Sequence, residues 1–430
     1  MVDVYFIVSK TIHFKKGGYC VKEINVQRII SRIEQLAKCS ETSLGVTRLS
    51  FTEQSEQADQ LVTGWMQAAG MVVRKDAMNN LIGRFEGRKK DASVLLIGSH
   101  IDSVLNGGKY DGTLGVITAI EVIGLLNEND EIPEHPIEVI SFCDEEGARF
   151  HTTFLGSRAM AGTFPREDLE RKDDNGISLA GAMRNQYLIP ESFPLAKRNE
   201  ESLFGYLELH IEQGPVLEQV NQPCGVVIGI AGVSRYSFTI KGLAGHAGTV
   251  PMQNRCDALS GTAEVLMKIE EMAKLYDPIV ATVGKLVVKP GASNVIPETV
   301  TGTLDIRGTN QTNKTEFIHG LFEIINEICK RRRLSCQFEN IMEVSPVACS
   351  DIFINIIEET LLENGVSPKR MISGAGHDAM AIAPITNIGM IFVRCEKGLS
   401  HCPEEYVSGD DIRVSAKVLL DTVKQIANIR

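Results

Sequence analysis

Short runs dominated by hydrophobic residues alternate with helical patterns in the first half of the chain. Three of these runs are VLLI (94–97), IEVISF (137–142) and YLELHI (206–211), and TLGVITAIEVIGLLNEN between the first two has the periodicity of a helix. Strands that are hydrophobic on both faces are typical of parallel sheets covered on both sides. MVVRKDAMNNLIGRFEG alternates like a strand pair. We therefore predict an α/β fold with a mixed central sheet flanked by helices.

The middle of the chain has a different texture. RYSFTIKG (235–242) and IVATVGKLVV (279–288) alternate between hydrophobic and polar residues, which is typical of antiparallel strands with one covered face. Across the chain, helices are predicted at 22–37, 53–69, 256–274, 313–331, 351–364 and 410–428. The change in texture predicts an α+β domain, residues 231–344, inserted into a larger domain formed by residues 21–230 and 345–430.

The first 20 residues, MVDVYFIVSKTIHFKKGGYC, do not resemble a secretory signal peptide. They lack a basic n-region and a small-residue cleavage site. KKGG is what a purine-rich ribosome-binding site spells when it is translated, and Val21 lies at a suitable distance downstream for a GTG start codon. Two hypotheses stay open: residues 1–20 are an extension that the native protein lacks, or they are an ordinary disordered tail.

Charge and composition argue against several functional classes. The formal net charge is −11 and no Lys/Arg run is longer than RKK or KRRR, so we expect no nucleic-acid partner. No stretch of about 18 apolar residues is present, so no membrane span is expected. The ten cysteines include no CxxC pair. In a chain of this length we therefore expect reduced thiols and a cytoplasmic location.

Polar residues follow the predicted buried strands, at the point where each strand ends. The four stretches are GSHIDS…KYDG, FCDEEG, ELHIEQG and LSHCPEE. Open α/β sheets place their sites at the carboxyl ends of the strands. Imidazole together with carboxylate suits Zn, Mn, Co or Ni, and a carboxylate flanked by such ligands is typical of a two-metal hydrolytic site. The candidate residues are His100, Asp102, Asp111, Asp144, Glu145, Glu146, His210, Glu212 and His401.

Two local patterns refine this hypothesis. Asp102 lies two residues after His100, on the same face of a strand, and can accept the second imidazole proton; the alternative is that it only caps a turn. Glu145 and Glu146 are adjacent carboxylates at a strand end, which is costly unless they face cations. One of them can bind a metal while the other acts as a general base, and the alternative is a solvated acidic turn.

Other chemistries have weaker support in the sequence. The glycines around Asp111 do not form GxGxxG, so a dinucleotide-binding loop is not indicated. No GxSxG nucleophile elbow is present. Cys402 beside His401 is the single cysteine candidate, and no pattern indicates that its thiol is activated.

The ordered motifs HID…YDG, DEEG, HIEQG, GHAGTVPM, SNVIPE, DIRG, SGAGHDA and SHCPEE resemble the amidohydrolase branch of the M20 metallopeptidase family. The resemblance covers about residues 22–430. It implies a catalytic domain that binds two divalent ions (Zn, Mn, Co or Ni) and an inserted lid through which two chains form a homodimer. Asp111 would bridge the ions, one also bound by Glu146 and His401 and the other by His100 and His210. Glu145 would be the general base.

The remaining motifs resemble substrate-binding positions of this branch. Ordinary M20 peptidases carry a carboxylate where this chain has His210, and His210 with Gln213 favours the carbamoyl-cleaving branch. The resemblance implies that Asn294 and His377 hold substrate and that Arg307 clamps a carboxylate, the alternative for Arg307 being a surface salt bridge. His246 resembles the residue that reaches into the partner's site to stabilise an oxyanion; by itself it would be a loop histidine.

The implied reaction is hydrolysis of the carbamoyl C–N bond of N-carbamoyl-L-amino acids. The products would be an L-amino acid, ammonia and CO2. An allantoate amidohydrolase is the first alternative, because allantoate also carries a ureido group and a carboxylate. Two weaker alternatives are an M20 dipeptidase or aminoacylase and a non-catalytic binding protein. His210 argues against the peptidase, because ordinary M20 peptidases carry a carboxylate there, and the complete set of implied ligands argues against a non-catalytic protein.

Overall fold

The computed structural model describes residues 22–89 and 91–429, so the two hypotheses for residues 1–20 lie outside the described residues. The chain forms two compact units. Of the described residues, the first unit comprises those up to Val226, Ser350–Arg370 and those from His377 onward, and the second comprises Val227–Cys349 and Met371–Gly376. The sequence pattern places residues 227–230, 345–349 and 371–376 in the larger domain. The structure differs because the strand that ends at Ser373 continues into the second unit, where Ala231 donates a backbone hydrogen bond to Ser373.

The elements are as follows. The helices are α1 (Val26–Ala37), α2 (Glu53–Ala68), α3 (Thr113–Glu128), α4 (Leu155–Ala161), α5 (Leu179–Asn185), α6 (Val216–Gln219), α7 (Ala258–Leu275), α8 (Gln311–Arg331), α9 (Asp351–Glu363), α10 (Asp378–Ile382) and α11 (Gly409–Ile426). The strands are β1 (Val72–Lys75), β2 (Leu81–Phe85), β3 (Val94–His100), β4 (Ile137–Phe142), β5 (Leu203–Ile211), β6 (Cys224–Ile230), β7 (Gly232–Lys241), β8 (Gly245–His246), β9 (Val280–Lys289), β10 (Val295–Ile296), β11 (Thr299–Gly308), β12 (Ser335–Val344), β13 (Val347–Ala348), β14 (Arg370–Ser373) and β15 (Ile388–Val393). None of the described helices combines the length and apolar character that crossing a membrane requires.

The sheet of the first unit is mixed, as predicted. Its strands run in the order β1-β2-β4-β3-β5-β15. β3 is parallel to β4 and β5, and β15 is parallel to β5, whereas β2 is antiparallel to β1 and β4. The hydrophobic runs account for this placement, because β3, β4 and β15 are buried along their whole length. The carboxyl ends of the four parallel strands therefore meet at one edge of the sheet.

The second unit contains an antiparallel sheet with the order β12-β7-β11-β9. One face of this sheet packs against α7 and α8, through a core that includes Phe238, Leu304 and Phe317. Burial alternates residue by residue along β11, as the polar alternation in the sequence predicts. A separate two-stranded sheet pairs β8 with β10.

Candidate metal centre

Histidine and carboxylate side chains converge at the carboxyl edge of the first unit's sheet. They come from the end of β3, the loop before α3, the loop after β4, the strand β5 and the loop after β15. In each of three groups, the potential ligand atoms lie within 4.8 Å of one another. The groups are His100 with Asp111 and His210, Asp111 with Glu146 and His401, and His100 with Glu145 and Glu146, and a fourth group that meets the same distance joins Glu208 with His210 and His377.

Asp111 lies at the centre of this arrangement and is 7% exposed. Its Oδ1 lies 3.1 Å from His210 Nε2 and 4.0 Å from His100 Nε2. Its Oδ2 lies 3.0 Å from His401 Nε2. The two oxygens of one carboxylate thus face different imidazoles, which is the arrangement a bridging ligand needs.

The charges at this site favour a cation. Burial and then the charge of Asp111 raise the pKa of Glu146 to about 8. Burial and then the charge of Glu146 raise the pKa of Glu145 well above its usual value. Although burial opposes it, the hydrogen bond with Asp111 raises the pKa of His210 to about 9. Buried carboxylates this close together are stabilised by positive charge, and the His and carboxylate donor set fits a divalent transition metal.

The imidazole of His100 is oriented by Asp102. Its Nδ1 lies 3.0 Å from the backbone oxygen of Asp102 and 3.7 Å from the carboxylate Oδ1 of the same residue. Asp102 is therefore placed to accept the second imidazole proton, through its backbone oxygen and not through its carboxylate. The carboxylate instead accepts the backbone N–H groups of Glu145 and Glu146 at 3.2 and 3.1 Å, so it holds the loop after β4 beside β3.

Glu405 is a site residue that the sequence reasoning did not name. Its Oε1 accepts the backbone N–H groups of Tyr110 and Asp111 at 2.8 and 3.0 Å, and its Oε2 accepts Ser400 Oγ at 2.9 Å. A Cβ on Gly108 would lie 2.1 Å from this carboxyl group, so glycine permits the approach. Glu405 therefore joins the loop that carries Asp111 to the loop that carries His401. Its position in the motif SHCPEE, four residues after His401, could have identified it as a site residue from the sequence.

We expect Glu405→Gln to weaken metal binding by about 10–100-fold, the range typical of residues that orient metal ligands. The variant keeps the length of the side chain but replaces one acceptor oxygen by an NH2 group, which donates hydrogen bonds and cannot accept them. Competition with a chelating dye measures the affinity. Glu404→Gln is the matched control, because Glu404 is exposed. Wild-type affinity in Glu405→Gln would show that the two loops hold their ligands without this carboxylate.

Gly112 has a backbone conformation with φ of 60° at the start of α3, and a Cβ there would lie 2.4 Å from the His100 ring. We expect Gly112→Ala to lower the free energy of unfolding by at least about 1 kcal/mol and to weaken metal binding by displacing His100. Denaturant unfolding and metal titration measure the two effects. Gly365→Ala is the control, since Gly365 has φ of 72° and open space around its Cβ position. Gly112→Ala with unchanged metal affinity would argue against His100 as a ligand.

Two predicted substrate residues also lie in the first unit. Gln213 Nε2 donates to Asp111 Oδ2 at 3.0 Å and to Ser400 Oγ at 3.2 Å. His377 is 1% exposed, and its ring centroid lies 4.5 Å from that of His210. Burial, followed by the charge of His210, lowers the pKa of His377 well below its usual value, which keeps its imidazole neutral. Gln213 is therefore bonded to Asp111 and Ser400, and His377 lies beside His210 as a neutral imidazole.

Glu208 is a second residue that the sequence reasoning did not name. It lies on the same face of β5 as His210, two residues before it, and it accepts Ser99 Oγ at 2.8 Å and the backbone N–H of Ala379 at 3.0 Å. The latter bond fixes the start of α10, directly after His377. In ELHI the glutamate lies two residues before His210, and this spacing on a strand could have predicted that both side chains lie on one face.

The other predicted substrate residues belong to the second unit. His246 is exposed, and its Nδ1 accepts the backbone N–H of Gly248 at 3.1 Å, so Nε2 carries the proton of the neutral ring. The backbone of Asn294 accepts the N–H of Ala247 at 3.0 Å, which places Asn294 next to His246. Arg307 pairs with Asp305 at 2.8 Å. His246 is therefore a donor at its exposed nitrogen, as an oxyanion-stabilising group must be.

The sequence profile of the Peptidase family M20/M25/M40 matches residues 96–425. The chain belongs to this family. N-carbamoyl-L-amino acid amidohydrolase of Geobacillus stearothermophilus is 45% identical to this M20-family chain, over 94% of the chain and 99% of the relative. Allantoate deiminase of Arabidopsis thaliana is 38% identical, over 91% and 81%. The crystal structure of an amidase of the hydantoinase/carbamoylase family from Burkholderia multivorans has a TM-score of 0.89 at 33% identity, over 94% of this chain and 98% of that one.

These similarities confirm the predicted family, its amidohydrolase branch and the hydrolase class. The M20 family is metal-dependent, and the three groups around His100 and Asp111 are candidates for its ligands. The predicted α/β fold is confirmed as well.

Proposed function

We propose that this protein hydrolyses the carbamoyl C–N bond of N-carbamoyl-L-amino acids, giving the L-amino acid, ammonia and CO2. The position of Asp111 between His210 and His401 carries the proposal, because its carboxylate would bridge the ions of a two-metal hydrolytic site. The choice of substrate class is supported by the relative named N-carbamoyl-L-amino acid amidohydrolase, which matches along 99% of its length.

The proposed metal centre holds two divalent ions per chain. Asp111 would bridge them, with His100 and His210 on one side and Glu146 and His401 on the other. The donor set suits Zn, Mn, Co or Ni. Such ions polarise a carbonyl and lower the pKa of bound water to about 7.

Glu145 is the proposed general base. Its Oε2 lies 3.9 Å from His100 Nε2, and the side chain is 9% exposed. A buried carboxylate with a raised pKa can hold a proton taken from the attacking water and pass it to the leaving nitrogen. The water oxygen joins the carbamoyl carbon, the bond between that carbon and the amino acid nitrogen breaks, and this nitrogen gains the proton. The released carbamate then decomposes to ammonia and CO2.

The remaining residues bind the substrate in this proposal. Arg307 binds the α-carboxylate, His377 donates to the substrate, and Gln213 contacts it. His246 and Asn294 would stabilise the developing oxyanion, His246 through its Nε2–H. In the proposed reaction His246 comes from the second unit of a partner chain.

The proposed assembly is a homodimer formed through the second unit. β9 is an edge strand of its sheet and exposes Val280, Leu286 and Val287. Exposed hydrophobic edge strands are normally covered, and pairing with a second copy would cover this one. Sedimentation analysis of the wild-type protein tests the dimer. A cytoplasmic location is part of the proposal, because the cysteines in the described part of the chain, Cys349 aside, are free thiols.

Allantoate is the second candidate substrate, because an allantoate deiminase also matches most of the chain. The two candidates are separated by measuring ammonia release from N-carbamoyl-L-methionine and from allantoate, side by side, with the metal-loaded protein. We expect the higher kcat/KM for the carbamoyl amino acid. Turnover of allantoate alone would favour the second candidate. Release from neither substrate, with metal bound, would favour a dipeptidase, an aminoacylase or a non-catalytic binding protein.

A further inference from the structure

Three charged side chains lie together on one face of the second unit's sheet. Arg235 of β7 is the cross-strand partner of Asp305 of β11, and Arg307 follows two residues later on the same face. The core residues of β11, Leu304 and Ile306, point to the opposite face, which α7 and α8 cover. The charged cluster therefore lies on the face of the sheet that these helices leave uncovered.

Asp305 is shared by the two arginines. Its Oδ2 accepts Arg235 Nε at 3.0 Å and Arg235 Nη2 at 2.6 Å, and its Oδ1 accepts Arg307 Nε at 2.8 Å. Although burial opposes it, the hydrogen bonds from Arg307 and Arg235 hold the pKa of Asp305 below its usual value. One negative charge thus faces two positive charges, and the cluster keeps a net positive charge.

Arg307 is held from two directions. Its Nε donates to Asp305, and its Nη1 donates to the backbone oxygen of Gly374 at 2.6 Å. A guanidinium has five N–H donors in a planar fork. Within the described part of the chain these bonds use two of them, so the remaining three, including both on Nη2, are available to another acceptor. About one third of the side chain is exposed. A fixed fork with free donors is suited to bidentate binding of a carboxylate.

We propose that Asp305 is a positioning residue that holds Arg307 in the orientation that binds the substrate carboxylate, while Arg235 supplies the additional positive charge. This inference rests on the proposed function, which assigns Arg307 to the substrate. Asp305 acts through Arg307 and does not touch the substrate. This positioning role explains why an aspartate precedes the arginine in DIRG (305–308), a position for which the sequence alone suggested no role.

The test is a double-mutant cycle on the full-length, metal-loaded protein with N-carbamoyl-L-methionine as substrate. Asp305→Asn is expected to raise KM about tenfold and to leave kcat within about threefold, because the lost charged hydrogen bonds loosen the fork. Arg307→Gln is expected to raise KM further. In the Arg307→Gln background, Asp305→Asn is expected to change KM by less than about twofold, since the residue it positions is already absent.

Two controls separate positioning from a general structural effect. Glu264→Gln removes a carboxylate that is likewise shared by two arginines, Arg331 and Arg332, but lies in the helical layer of the same unit. It should leave KM unchanged. The second control is 3-(methylthio)propylurea, which equals N-carbamoyl-L-methionine without its carboxylate. Asp305→Asn should leave kcat/KM for this urea unchanged.

The proposal is overturned if Asp305→Asn leaves KM for the carbamoyl amino acid unchanged, or if its effect is the same with and without Arg307. An equal loss for the urea would also overturn it. Should Asp305→Asn fail to fold, Asp305→Thr takes its place, because Thr301 and Thr303 already occupy this face of β11. Wild-type protein that fails to cleave either substrate would contradict the proposed function. If the wild type is active but the effects of Asp305→Asn and Arg307→Gln on KM are simply additive, only the role of Asp305 is contradicted.

Discussion

Replacing Glu145 with glutamine is expected to lower kcat by about 10²–10⁴-fold, the contribution typical of a positioned general base, while the protein keeps its metal. Glutamine has nearly the same shape as glutamate but cannot take a proton from the attacking water. Ammonia release from N-carbamoyl-L-methionine measures the rate, and elemental analysis of the same sample measures bound metal. Near-full activity would show that another group is the base.

Glu146→Gln is the matched control for this experiment. The two residues are adjacent and the same charge is removed, yet the proposed roles differ, because Glu146 lies 3.4 Å from His401 Nε2 and is grouped with Asp111. Glu146→Gln should lose metal and therefore activity. The two variants need to be compared because His100 lies close to Glu145 as well as to Asp111, so that Glu145 is also near a proposed metal ligand. If Glu145→Gln loses metal and Glu146→Gln keeps it, the two roles are exchanged.

Replacing Asp111 with asparagine is expected to weaken the binding of both ions by more than about 100-fold, beyond the loss typical of residues that only orient a ligand. Each oxygen of Asp111 faces different histidines, so the amide removes an anionic ligand from both sides at once. Metal titration of the purified variant measures the two affinities, and turnover should be abolished.

Asp130→Asn is the control for the Asp111 variant, because Asp130 is exposed and asparagine tolerates its φ of 55°. It should bind metal as the wild type does. Two ions bound to Asp111→Asn with wild-type affinity would contradict a bridging role for Asp111. Loss of one ion only would restrict Asp111 to a single metal.

The sequence predicts the parts of this structure that depend on local patterns. Continuous hydrophobic runs predict β3 and β4, and polar residues at the strand ends predict where His100 and Glu146 meet. Parallel strands bring these ends to one edge irrespective of loop details, which is why the candidate ligands could be named.

Contacts between distant segments could not be predicted in the same way. Glu405 binds the backbone of Asp111, 294 positions away, and no periodicity encodes that approach. The partner of His100 Nδ1 is the backbone oxygen of Asp102 because the carboxylate turns to Glu145 and Glu146, a choice that depends on loop geometry. Asp305 has a role in the inferred site only because β7 and β11 align it with Arg235, and this register is a property of the folded sheet.

The most direct test of the account is the metal dependence of ureido hydrolysis. The purified protein would be stripped with a chelator, reloaded stepwise with Mn²⁺, and assayed at each step for ammonia release from N-carbamoyl-L-methionine. We expect no turnover after stripping, and recovery that reaches its full value at two bound ions per chain. Full turnover by stripped protein whose metal content is negligible would contradict the account.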